Sequence, residues 1–257
     1  MSGALVLTYH AVEAGPPPLC VEPELFGRHL DAIVASGSEV LTVRELAEAL
    51  RTGELPRRTV VLTFDDAFAS AATAGAAMLG ERGLRATFFP VAAHVGGLNN
   101  WASQPASTPR LPLASLDELR ALGAAGFEIG SHGLTHAPLA SVTDDVLERE
   151  LIGSKDALEA ALGLPVTSFA YPYGAEPTAA PPFLTGHYSA VCTTRMDVLT
   201  SASDPLALPR VDAHYLRRSG ALTRALEHGL TPYLRARRIG SSVRRAVLSD
   251  AQHGSTR

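Results

Sequence analysis

Short apolar runs alternate along the chain with stretches whose apolar residues recur every three or four positions. Residues 4–8 (ALVLT) read as a strand. Across residues 23–36, Phe26, Leu30, Ile33 and Val34 share one face and Pro23 falls near the first turn, so the spacing predicts a helix. Thr42-Val43-Arg44-Glu45 and Ser115-Leu116-Asp117-Glu118 are capping boxes, each opening a helix, with Gly53 and Gly126 as stops. Residues 59–64 (TVVLTF) form the strongest strand, and an alanine-rich helix follows to about Gly83. Residues 85–91 and 127–130 are strands. Thr143 caps a long helix to about Leu162, with Asp144 and Asp145 where the helix dipole favours acids. Residues 168–170, 189–192 and 206–208 complete the strands.

Seven or eight strands with helices between most of them predict an α/β chain with a mainly parallel sheet. At 257 residues the pattern fits a closed or nearly closed barrel better than an open doubly wound sheet. The expected organisation is one domain over residues 1–218 and a helical tail over 219–257. The tail is basic, with Arg235, Arg237, Arg238, Arg244 and Arg245 among apolar residues. It reads as a solvated helix or as an amphipathic one lying on an anionic membrane or a glycan-assembly partner. Two long loops, 96–112 and 173–185, are rich in Gly, Pro, Ser, Asn or Ala, and loops this long usually carry function.

Composition narrows the chemistry. A 46% hydrophobic chain has material for a core, and a net charge of -4 gives no basic field for nucleic acid. Lys155 is the only lysine and no Gly-Lys-Ser/Thr precedes a helix, so there is no phosphate-binding P-loop. Cys20 and Cys192 are too few for a disulfide framework or a four-cysteine zinc site. The first residues lack a basic signal region and no run is long enough to span a bilayer, so the expectation is a cytoplasmic protein without a transmembrane segment.

In a parallel barrel the functional rim lies at the C-terminal ends of the strands. The strand assignment puts Tyr9 and His10, Asp65 and Asp66, Ser131, His132 and His136, Tyr171 and Tyr173, and Arg210 and Asp212 there. Asp65-Asp66 could ligate a metal, act as a base, or merely cap the following helix. His132 and His136 stand four apart, but Gly133 replaces the glutamate of a metalloprotease helix, and Gly130 and Pro138 oppose a regular helix. One carboxylate with two imidazoles is a common set for a catalytic divalent metal that leaves positions open for water.

The motifs resemble a known family. TFDD at 63–66, SHGLTH at 131–136 and FAYPYG at 169–174 are similar, in order and spacing, to the first three motifs of the polysaccharide deacetylases, the carbohydrate esterase family four or NodB-homology enzymes. LTYH at 7–10, ATFF at 86–89, EIGSH at 128–132 and ALPR at 207–210 resemble flanking segments of its bacterial exopolysaccharide branch. The resemblance covers about residues 4–215. It implies a distorted (β/α) barrel of about seven strands and one divalent metal, usually zinc. It implies Asp66, His132 and His136 as ligands and Asp65 as general base, with the Tyr171–Tyr173 motif shaping the substrate groove and the Tyr173 N–H facing the oxyanion. The reaction implied is hydrolysis of a linear amide C–N bond, removing N-acetyl from an amino sugar in a glycan or glycan precursor.

Three departures stand out. Ala67 replaces the usual Gly, Gly133 the usual Ser or Thr, and the arginine that begins the third motif is absent. Arg210 is a candidate to supply that guanidinium. No late leucine–x–histidine motif is evident, since Leu226-Glu-His228 sits in a predicted helix, so His10 and His214 are the candidates for general acid. Trp101 could stack on a sugar ring or pin its own loop, and His94 reads as a bystander. The rival expectations are a catalytically weak homologue that binds or scaffolds glycans, and a deacylase of a small, non-polymeric substrate.

Overall fold

The structure, a computed structural model, describes residues 3–177 and 184–228. In chain order the first half runs β1 (Gly3–Tyr9), β2 (Ala11–Val12), β3 (Cys20–Val21), α1 (Pro23–Ala35), β4 (Glu39–Leu41), α2 (Val43–Thr52), β5 (Arg58–Asp66), α3 (Ala76–Gly80) and β6 (Thr87–Pro90). The second half runs α4 (Leu116–Ala124), β7 (Glu128–Ile129), α5 (Asp144–Glu148), α6 (Ser154–Leu162), β8 (Ser168–Ala170), α7 (Leu184–His187), β9 (Ala190–Cys192), β10 (Val211–Asp212) and α8 (Ala221–His228). Both capping boxes form as expected, and Gly53 ends α2 in the left-handed conformation.

Parallel pairing can be followed around a closed ring. The order β10-β1-β5-β6-β7 is continuous, with β4 alongside the first half of β5. A bridge between Ser131 and Phe169 joins the β7 segment to β8, β8 pairs with β9, and a bridge between Cys192 and Leu208 returns to the segment that becomes β10. Seven parallel staves therefore close a distorted (β/α) barrel, two of whose junctions are single bridges.

Side-chain alternation fixes what each face does. Leu5 and Leu7 of β1 and Val60, Leu62 and Phe64 of β5 face outward and share a cluster with Phe26, Leu30 and Ile33 of α1. Ala4, Val6, Val61, Phe89, Ala170, Cys192 and Leu208 face inward and are covered by Val43, Leu46 and Leu50 of α2. The inward series continues up the strands to Thr8, Thr63, Asp65 and Arg210, all buried. The barrel is thus apolar over most of its interior and polar at the C-terminal mouth.

The structure departs from the expected elements in places. Residues 205–207 form a 3-10 turn capped by Asp204, and the strand lies later, at Val211–Asp212. Pro205 and Pro209 lack the N–H a ladder needs, so only Leu208 bridges there. The alanine-rich and 143–162 helices each contain a π-helical turn, Ala71–Gly75 and Arg149–Gly153. Thr143 takes the N-cap position of α5 without a side-chain cap bond. Within the segment assigned to the tail, α8 packs on α1 and buries Leu222, Ala225 and Leu226 in the outer core. The five arginines from Arg235 to Arg245 lie outside the described residues, as do residues 178–183 of the second long loop. Among the described residues no helix is long and apolar enough to cross a membrane.

Candidate active site

The mouth of the barrel holds a cleft of about 400 Å³ lined by His10, Asp65, Asp66, Trp101, His132, His136, Tyr173, Arg210 and Asp212, among others. Asp65 points inward because it follows Val61 and Thr63 at two-residue steps. Strand alternation would turn Asp66 the other way. Its φ of 65°, followed by 53° at Ala67, breaks the alternation and brings both carboxylates to the same cleft. His136 (φ 61°) and Tyr173 (φ 57°) are the other non-glycine residues in the left-handed region among those described. All four lie at or beside this cleft, where such backbone strain is usually concentrated.

One ligating atom each from Asp66, His132 and His136 lie within 4.8 Å of one another. Asp66 Oδ1 is 3.1 Å from His136 Nε2 and 3.6 Å from His132 Nε2, and it is buried without a hydrogen bond. The His132 Nδ1–H donates to the Ala170 carbonyl at 2.8 Å, which leaves the Nε2 lone pair facing Asp66. A buried carboxylate oxygen with no donor, opposed by two imidazole nitrogens, fits a divalent cation.

Asp65 is committed elsewhere. Arg210 holds it bidentately, at 2.6 Å and 2.8 Å, and also donates to the Thr193 carbonyl and Thr63 Oγ1. Burial pushes the Asp65 carboxyl up, but the Arg210 guanidinium, with His132 and His10 nearby, outweighs it and holds the carboxyl well below the usual range. Asp66 is lowered too: burial opposes this, and His136 and His132 outweigh burial. The guanidinium that pairs with Asp65 thus comes from the stave beside β1.

The other expected residues divide. His10 lines the cleft, and its Nδ1 is buried without a hydrogen bond. His214 sits on the 3-10 turn Ala213–Leu216 and is not part of the cleft lining; Tyr215 is. Tyr171 is a core residue and not a wall of the groove: it is 3% exposed and packs edge-on against Phe169. Burial, then Glu176, pushes its hydroxyl up to about 12. Trp101 lines the cleft, but its ring is 4% exposed and lies against His136, so it offers no open platform to a sugar. His94 sits edge-on to Trp101. Cys192 is fully buried, and burial pushes its thiol up to about 12, as a packing residue would show. His228 is exposed on α8.

Glu150 had not been expected. It is 1% exposed and accepts from the Leu134 and Thr135 N–H groups, each at 2.9 Å, and from Thr135 Oγ1. This carboxylate ties down the 131–136 turn, where Gly133 (φ 85°) offers no hydroxyl; a Cβ at Gly133 would meet Glu150 Oε2 at 3.1 Å. The signal was present: Glu150 stands three residues after Leu147 and four before Ser154, on the buried stripe of the helix.

The sequence model of the polysaccharide deacetylase family matches residues 52–182, just over half of the chain. The chain belongs to the polysaccharide deacetylase family. Among curated proteins, YxkH of Bacillus subtilis (strain 168) is 24% identical over 170 residues, 66% of this chain. The match spans 56% of that relative's length. Among solved structures, IcaB from Ammonifex degensii superposes with a TM-score of 0.73 at 23% identity, covering 89% of this polysaccharide deacetylase chain and 97% of the other. The deacetylase PplD of Streptococcus pyogenes, solved with acetate, gives 0.67 at 24% identity over 82% and 92%. These likenesses carry the fold, and they agree with the barrel traced above.

Proposed function

We propose that this polysaccharide deacetylase is a metal-dependent hydrolase that removes the N-acetyl group from an amino sugar within a glycan. The observation that carries the reading is the convergence of Asp66, His132 and His136 on one point, with Asp65 beside them and left out of the ligand set. Asp66 Oδ1 and the two Nε2 atoms would hold a divalent cation, zinc in our reading. When bound, it supplies Lewis acidity, polarising the acetyl carbonyl and acidifying water.

The chain's own residues do the rest. Asp65, kept ionised by Arg210, accepts the proton of the attacking water. His10 is the better placed of the two candidate acids, since it lines the cleft, and it delivers a proton to the departing amine. The Tyr173 N–H is assigned to the developing oxyanion, a donor type whose loss typically costs about 10²–10³ in rate. The products are acetate and a free amino sugar.

The cleft continues into a larger groove of about 850 Å³ that shares Thr194, Met196 and Tyr215 with it. That room supports an oligomeric or polymeric substrate over a single small molecule. The test is acetate release from β-linked N-acetylglucosamine oligomers by the zinc-loaded protein. Stoichiometric zinc binding with no acetate released from any oligomer would leave a glycan-binding homologue as the better reading.

A further inference from the structure

The two histidines are oriented by different means. His132 donates its Nδ1–H to a backbone carbonyl, the usual way of fixing the ring plane of a ligating imidazole. Nδ1 of His136 is buried and has no hydrogen-bond partner. Its backbone is in the left-handed region, so the main chain does not favour its position either. Something else must aim this ring.

That something is aromatic surface. Trp101 stacks on the His136 imidazole with centroids 4.1 Å apart and planes 25° apart. Tyr173 meets it edge-on at 4.5 Å and 82°. The indole Nε1–H donates to Tyr173 Oη at 3.0 Å, and Ser103 Oγ lies 3.0 Å from the same oxygen. Ser103 Oγ also donates to the His136 carbonyl at 3.1 Å. The 97–112 loop therefore grips both the ring and the backbone of His136. An imidazole bound to a cation is electron-poor, and the electron-rich indole face attracts such a ring.

We propose that Trp101 is a positioning residue for the metal ligand His136, its ring face replacing the hydrogen bond that His136 lacks, with Tyr173 and Ser103 completing the clamp. The proposal rests on the metal site assigned above. It is read out by zinc affinity, from competition with a chromophoric chelator, and by the visible absorption of the cobalt-substituted full chain.

Trp101→Leu, folded by its metal-free melting curve, is expected to bind zinc about 10–100-fold more weakly and to change the cobalt spectrum. Trp101→Phe, which keeps a ring face without the N–H, should retain most of the affinity. Wild-type zinc affinity in Trp101→Leu overturns the proposal, and so does a raised KM at unchanged zinc affinity, which would make the ring a sugar platform. Should Trp101→Leu fail to fold, Tyr173→Leu carries the test, because that side chain is half-exposed. Undiminished zinc affinity there overturns the clamp. A wild-type chain that binds neither zinc nor cobalt overturns the metal site itself, and that outcome is separate from the variants.

Discussion

At the scale of single residues, the two adjacent acids are held in different ways. Asp66 Oδ1 faces two imidazole nitrogens with no donor of its own, whereas both oxygens of Asp65 are taken by Arg210. Asp65→Asn is therefore expected to lose turnover by a factor of about 10³ or more while keeping its zinc, and His132→Ala to lose both. Equal zinc loss by dialysis and metal analysis in the two variants would contradict the division. The adjacency of the two acids was plain in the sequence. Their shared orientation was not, because it depends on left-handed backbone at Asp66 and Ala67 that neither residue type announces. A second residue-scale expectation concerns His29, whose ring bridges Tyr9 Oη and the Leu216 carbonyl. Burial, which outweighs the Leu216 bond, lowers it from 6.5 to about 4. The unfolded chain then binds the extra proton first as pH falls. The stabilisation is complete above about pH 6.5 and is lost towards pH 4, at no more than about 1.4 kcal/mol per pH unit. Urea unfolding of wild type and His29→Gln at pH 7 and pH 5 checks this; the variant should show the flatter dependence.

Among the elements, the π-helical turn Arg149–Gly153 matters most for the site, because it carries Glu150 to the underside of the histidine turn. Hydrogen bonds to a charged acceptor contribute about 1.5–3 kcal/mol each. Glu150→Ala, which leaves two N–H groups and a hydroxyl without their acceptor, is expected to destabilise the protein by several kcal/mol in urea titration. It should also weaken zinc binding through His136. Most elements were legible in the sequence, since capping boxes, glycine stops and alternation are local signals. Residues 206–208 read as a strand from their apolar run, but the flanking Pro205 and Pro209 deny the ladder its N–H groups. Glu150 is hard to single out from sequence because an acid in a helix normally faces water. The stacking of Trp101 on His136 joins positions 35 apart, which no local pattern encodes.

For the molecule as a whole, closure of the barrel places residues from β1, β5, the β7 and β8 segments and β10 around one mouth. A ligand that bridges two of these segments should stabilise the entire fold. Zinc at 100 times its Kd is expected to add about 2.7 kcal/mol to the unfolding free energy, seen as a rise in Tm that EDTA reverses. Asp66→Asn should abolish that rise. Absence of any zinc-dependent shift in the wild type would argue against a site bridging the staves.

The two single-bridge junctions have a consequence of their own. β8 and β9 pair fully with each other, but each has a single ladder bridge to its other neighbour, at Ser131–Phe169 and Cys192–Leu208. Parting the wall there breaks fewer bonds than parting β1 from β5, which pair over seven positions. In deuterium exchange, the amides of Ala170 and Thr193, which donate across these seams, are expected to lose protection well before those of β1. A cylinder seamed in this way is expected to open first along that side, with the β10-β1-β5-β6 wall still paired.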